Sequence, residues 1–156
     1  SSLPLLRSLT LCYQTCQPVQ LLLPQLASLR IKAVFDLTDL GSLIQASTSI
    51  TSLSIYEGNI GGLDDASETV IKEQIIEFRV TMSIAASRDS TVAAIINGSK
   101  VMRKVILDGL ELHVEQQVIP KLLETLKVVK AACKKKNIEL WKENFDVGNG
   151  KVDLEK

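Results

Sequence analysis

The chain has 156 residues, 46% hydrophobic and 23% charged, too apolar for disorder and long enough for one domain with a real core. Its 18 basic residues equal its 18 acidic ones, which excludes a global field drawing it to nucleic acid or an anionic membrane. Charged recognition must therefore come from a local patch.

A segment of the form apolar-x-x-apolar-x-apolar recurs along the chain. Copies begin at residues 6, 26, 50, 75 and 102, with a partial copy at 135, giving steps of 20, 24, 25, 27 and 33 residues. A period of this size is the mark of stacked repeats, each too small to bury its own apolar face. The clearest match is Leu3-Pro4-Leu5-Leu6-Arg7-Ser8-Leu9-Thr10-Leu11 with Leu23-Pro24-Gln25-Leu26-Ala27-Ser28-Leu29-Arg30-Ile31. Alternation from the second apolar position onward is the period of a strand, and the prolines end the returning segment before it.

Between the first two strands, Pro18 to Leu23 allows one or two helical turns. Residues 36 to 49 read as a helix of about ten residues, with Asp36, Thr38 or Asp39 as cap and Leu40, Leu43 and Ile44 inward. Tyr56 to Gly62 reads as a glycine-bearing loop without phosphate-cradle spacing, followed by a helix carrying Ala66, Val70 and Ile71. Asp89 or Ser90 caps a helix with Val92, Ile95 and Ile96 buried, and Asn97-Gly98 stops it; Asn97-Gly98-Ser99 is read as a turn rather than a glycosylation site.

The longest helical pattern runs from Glu115 to Lys136. Its apolar face is Val118, Ile119, Leu122, Leu123, Leu126, Val129 and Cys133, its last turn carries Lys134 to Lys136, and Asn137 ends it in the left-handed conformation. Ile138, Leu140 and Trp141 form the last strand, and the polar tail 144–156 is expected to fray.

Crossovers this long imply parallel pairing in chain order. The first, fourth and sixth motif positions then face the core, so Leu9 and Leu11, Leu29 and Ile31, Leu53 and Ile55, Phe78 and Val80, and Val105 and Leu107 stack in columns. The other positions form three rows on the exposed face. These are Ser8, Ser28, Ser52, Glu77, Lys104, Asn137; Thr10, Arg30, Ser54, Arg79, Ile106, Glu139; and Cys12, Lys32, Tyr56, Thr81, Asp108, Trp141.

From these rows the candidate partner-binding residues are Arg30, Lys32, Ser54, Tyr56, Glu77, Arg79, Lys104, Asp108, Glu139 and Trp141. Arg, Tyr and Trp are the types enriched at binding hot spots. Replacing Arg30, Arg79 and Trp141 by Ala is expected to weaken partner binding and leave thermal stability nearly unchanged.

Leu-x-x-Leu-x-Leu recurring over residues 3 to 143 resembles the leucine-rich repeat family. The family's usual Asn is replaced by Gln14, Val34, Gly58, Ser83 and Leu110, and the spacing is irregular. The closing helix, Ala132-Cys133-Lys134-Lys135-Lys136-Asn137-Ile138-Glu139-Leu140 and acidic tail are similar to the C-terminal repeats of F-box proteins, particularly fungal ones. The resemblance implies an α/β solenoid, a partial horseshoe of about six parallel strands over 1–143, followed by the tail 144–156. It implies protein binding on the concave face, no catalysis and no cofactor. In that family the repeats hold a substrate for a cullin-type ubiquitin ligase, and a separate F-box, not visible here, docks the Skp adaptor.

A βα regulatory domain of the STAS kind is the alternative, since Val101 to Asp108, a helix, and Lys136 to Leu140 resemble its second half. Its phosphorylation turn is missing, with Leu110-Glu111-Leu112-His113 in that place. An enzyme is the least supported reading, because His113 is the only neutral-range base and no nucleophile motif accompanies it.

Cys12, Cys16 and Cys133 form an odd, sparse set that fits a reducing compartment, and Cys12 and Cys16 lack partners for zinc. No apolar run approaches the roughly 18 residues of a membrane span and no signal peptide opens the chain, so a cytoplasmic or nuclear location is expected. The missing start Met, with a repeat beginning almost at once, points to a fragment of a longer protein.

Overall fold

A computed structural model describes residues 7–13, 26–36, 40–110, 119–146 and 148–155. Seven strands form one sheet in chain order: β1 (Ser8–Tyr13), β2 (Ser28–Asp36), β3 (Ser52–Asn59), β4 (Glu77–Thr81), β5 (Lys104–Asp108), β6 (Glu139–Glu143) and β7 (Gly150–Lys151). The first six pair in parallel and β7 runs antiparallel to β6. The described returns contain α1 (Leu40–Ala46), a short 3-10 turn (Ile60–Gly62), α2 (Asp65–Gln74), α3 (Met82–Ser87), α4 (Asp89–Gly98) and α5 (Ile119–Lys136).

Each repeat is latched to the one before it by the same backbone device. The N–H groups of Ala27 and Ser28 both donate to the Arg7 carbonyl, those of Thr51 and Ser52 to Ala27, those of Ile76 and Glu77 to Thr51, and those of Arg103 and Lys104 to Ile76. The acceptors stand at equivalent motif positions, so the sequence period is a structural period. The register follows: Ser28, Ser52, Glu77 and Lys104 are in line, as are Arg30, Ser54, Arg79 and Ile106.

The core lies on one face. First-position residues Leu26, Ile50, Ile75 and Met102 are buried, with Leu29, Leu53, Phe78 and Val105 in the next column and Ile31, Ile55, Val80 and Leu107 beyond. Helix residues Ile44, Ile71, Val92, Ile95, Ile96, Val129 and Cys133 complete the same cluster. Gly41 is required for the approach of α1 to α2, because a Cβ there would lie 2.5 Å from the Ser67 Cα. Gln74 closes the neighbouring turn, its amide nitrogen lying within hydrogen-bond distance of the carbonyls of Ile44, Ser47 and Ile50.

Several expectations are met locally. Val92, Ile95 and Ile96 are fully buried. Asn137 adopts φ 57°, with Ile138 N–H donating to the Cys133 carbonyl and Asn137 N–H to that of Lys134, a left-handed helix stop that satisfies the last carbonyls. Others are corrected. The glycine-bearing stretch after Tyr56 continues β3 to Asn59 and then makes the 3-10 turn. Helix α3, packed through Met82, Ile84 and Ala85, was not expected. On α5 the inward residues include Thr125 and Ala132, while Leu123 is 60% exposed. The helix expected at Pro18 to Leu23, the caps at Thr38 and Asp39, and Val118 lie outside the described residues.

The largest correction is at the end of the chain. The last strand copy begins at 137 rather than 135, because Lys104 pairs with Glu139, Val105 with Leu140 and Ile106 with Trp141. The stop at Asn137 occupies the residues that the sequence alignment had placed in the strand. The tail does not fray either: Asn144 (φ 60°), Gly148 (φ 79°) and Gly150 (φ 118°) reverse it onto β6. There the Val152 N–H donates to the Leu140 carbonyl at 2.7 Å, and Val152 is buried while Phe145 and Leu154 pack against the core.

Candidate functional site: the face opposite the core

The polar positions of the strands collect on the face away from the helical core. After the register correction its rows run Ser8, Ser28, Ser52, Glu77, Lys104, Glu139, and then Thr10, Arg30, Ser54, Arg79, Ile106, Trp141. The third row ends Thr81, Asp108, Glu143. At its start a register shift sets Lys32 opposite Glu57 rather than Tyr56, although the Lys32 ammonium still reaches over the Tyr56 ring, 5.8 Å from its centroid.

The expected contact residues divide into two groups. Arg79 and Asp108 are committed to each other: Asp108, 1% exposed, accepts from Arg79 Nη1 at 2.9 Å, from the Leu110 N–H at 2.8 Å and from Asn144 Nδ2 at 2.9 Å. Arg79 Nη2 reaches Glu143 on the next strand. Burial alone would lower the Arg79 pKa, but its bonds to Glu143 and Asp108 outweigh burial and raise it. This cluster clasps β4, β5, β6 and the turn after β6, so Arg79 has a structural role in the sheet. The expected neutrality of its removal is withdrawn.

Ser54 is also nearly buried, as is Thr81, whose hydroxyl lies 3.4 Å from the Tyr56 carbonyl. Ile106, between Arg79 and Trp141 in its row, is 1% exposed despite facing away from the helices. The remaining candidates are accessible. Arg30, Lys32 and Glu139 are exposed, and Tyr56, Glu77, Lys104 and Trp141 are half-buried.

Lys104 pairs with Glu77 at 3.8 Å, as the row predicts, and its ammonium lies 4.7 Å from the Trp141 ring centroid. Glu139 accepts from Lys151 at 3.1 Å; that bond, with a weaker one from the Trp141 indole N–H, holds its carboxyl below the usual range. Sequence reasoning missed Glu143 and Asn144, which entered the face only once the last strand was shifted by two residues. The visible signal was Glu139 opposite Lys104, an opposite-charge pair across neighbouring strands.

Where the rows end, a depression of about 310 Å³ opens, lined among others by Lys32, Tyr56, Glu57, Thr81, Ile84 and Leu110. Tyr56, Ile84 and Leu110 give it apolar surface, while Thr81 and Ser83 add hydroxyls and Lys32 and Glu57 one charge of each sign. Among the described residues no cluster of three or more His, Cys, Asp or Glu has metal-binding geometry, and no helix is long and apolar enough to cross a membrane. The fold and this face together define an α/β protein with a mostly parallel sequential sheet, one side packed by helices and the other carrying none among the described residues. No family model, curated protein or solved structure matches the chain.

Proposed function

We propose that the chain is a leucine-rich-repeat module that binds a protein partner on the sheet face opposite its helices. The observation that carries this is the face without described helices, on which Arg30 and Lys32 are exposed and Tyr56 and Trp141 partly exposed in adjoining rows. Sequential parallel strands with returns on one side leave such a face by construction, and repeat proteins use it for recognition. Aromatic and arginine side chains are the anchors of protein interfaces. The F-box likeness of the closing repeat makes a ubiquitination substrate the particular partner in this reading, with catalysis left to other subunits and an intracellular location.

The test is affinity capture with three versions of the chain as bait: wild type, a face variant (Arg30→Glu with Trp141→Ala) and a helix-side control (Lys127→Glu with Lys135→Glu). Partners retained by wild type and control but lost from the face variant support the reading. Partners lost from the control and kept by the face variant overturn it. Reproducible absence of a Skp adaptor and cullin from the captures removes the ligase role while leaving the binding face intact.

A further inference from the structure

The charges of the open face are not evenly compensated. From β4 to β7 they satisfy one another: Arg79 with Asp108 and Glu143, Lys104 with Glu77, Lys151 with Glu139. On β2 they do not. Arg30 and Lys32 are both exposed, and among the described residues neither has a carboxylate partner. Lys32 instead rests over the Tyr56 ring, although Glu57 is its register neighbour. Around Arg30 the rows supply Thr10, Ser28, Ser52 and Ser54, hydroxyls without an acid among them.

We propose that this end of the face takes an acidic, extended segment of the partner protein, and that one apolar side chain of the same segment seats in the adjoining depression. The proposal rests on the partner-binding reading and specifies its chemistry. Arg30 and Lys32 are two residues apart on one strand, so their side chains share a face with a spacing of roughly 6 to 7 Å. Carboxylates at alternate positions of an extended peptide repeat at the same interval.

The depression beyond Lys32 offers Tyr56, Ile84 and Leu110 as apolar walls, with Leu110 42% exposed. Glu57 on its rim would repel an acid there, which directs the acids toward Arg30 and the apolar residue into the depression. A membrane surface fits less well, because two cations beside a stretch of mutually paired charges are a small patch on a chain of zero net charge.

The experiment is selection of a phage-displayed random peptide library on the chain. A selected peptide, fluorescein-labelled, is then titrated by fluorescence anisotropy. The expected peptides carry Asp or Glu at alternate positions beside one Leu, Phe or Tyr. Reversal of both cations (Arg30→Glu with Lys32→Glu) weakens them roughly tenfold, the combined worth of two exposed ion pairs. Glu57→Gln tightens them, and added salt weakens them.

Selection of nothing, peptides without acidic enrichment, or affinity indifferent to the double reversal overturns the proposal. Non-acidic peptides lost on Trp141→Ala would sink it while sparing the binding face. Peptides that ignore every face substitution and respond to Lys127→Glu with Lys135→Glu would remove both. Binding to phosphatidylserine vesicles that needs Arg30 and Lys32, with no peptide selected, would reassign the patch to lipid.

Discussion

Asp108 concentrates the chemistry of the open face in one carboxylate, and its surroundings decide what its neighbours can be used for. It is 1% exposed and keeps three donors, one of them the partly buried Arg79. Removing Arg79 leaves a buried charge with only neutral donors, so Arg79→Ala should destabilise by about 2 to 3 kcal/mol, below the full cost of breaking a buried pair because the guanidinium is partly solvated. Asp108→Asn keeps an acceptor for Leu110 and Asn144 and should cost less. Urea denaturation of both variants checks the order, and an Arg79→Ala chain as stable as wild type would make the cluster a surface ornament.

Cys133 is the opposite case, a residue with no chemistry to offer. Burial pushes its thiol up to about 12. The folded value lies above the unfolded one of about 8.5, so the neutral thiol's contribution to stability is whole below that pH and is lost as pH climbs through the folded value. Iodoacetamide at pH 8 should label Cys133 only in denaturant. The melting-temperature difference between wild type and Cys133→Ala should narrow as pH is raised into the alkaline range, and native-state labelling at the denatured rate would contradict the burial.

Elements whose signal is local are legible in the sequence. The strands show because their alternation is set by the pleat, and α4 shows because Val92, Ile95 and Ile96 fall on one helical stripe. What is not legible is set by tertiary contact. Helix α3 is a single short segment whose packing between α4, α5 and the strands has no periodicity to read. The register of β6 depends on where α5 stops, and the two-residue error there displaced Trp141 by one row and hid Glu143 and Asn144 from the candidate site.

The tail is the sharpest instance. Its polar composition argues for fraying, yet the N–H groups of Gly109 and Val152 donate to the Glu143 and Leu140 carbonyls, and a Cβ at Gly109 would lie 2.8 Å from the Asn144 carbonyl oxygen. Deleting residues 145–156 uncovers Leu140 and the end of the core, and should lower the melting temperature by several degrees through the lost apolar burial. Unchanged melting would restore the frayed tail.

At the scale of the whole molecule the sheet is a line: every described strand pairs with its neighbours in chain order, and successive repeats are latched through one shared carbonyl. Stability in such an array is the sum of what each repeat holds and what it shares with its neighbours, so the position of a defect matters as much as its size. Phe78 is fully buried in the middle strand of the core column, with Leu53 on one side and Val105 on the other. Leu9, in the same column, is only partly buried and sits in the first strand of the described sheet.

Phe78→Ala should therefore cost about 3 to 5 kcal/mol and weaken two interfaces at once, whereas Leu9→Ala should cost less and weaken one. Hydrogen exchange read peptide by peptide separates the consequences. The central variant should lose protection together from β2 through β6, because those strands open as one unit once the middle is weakened. The terminal variant should lose it in β1 and β2 and leave β4 to β6 as protected as in wild type. Loss confined to β4 in the Phe78→Ala chain would mean that the neighbouring repeats stand without it, and the coupling that the latches and columns imply would be absent.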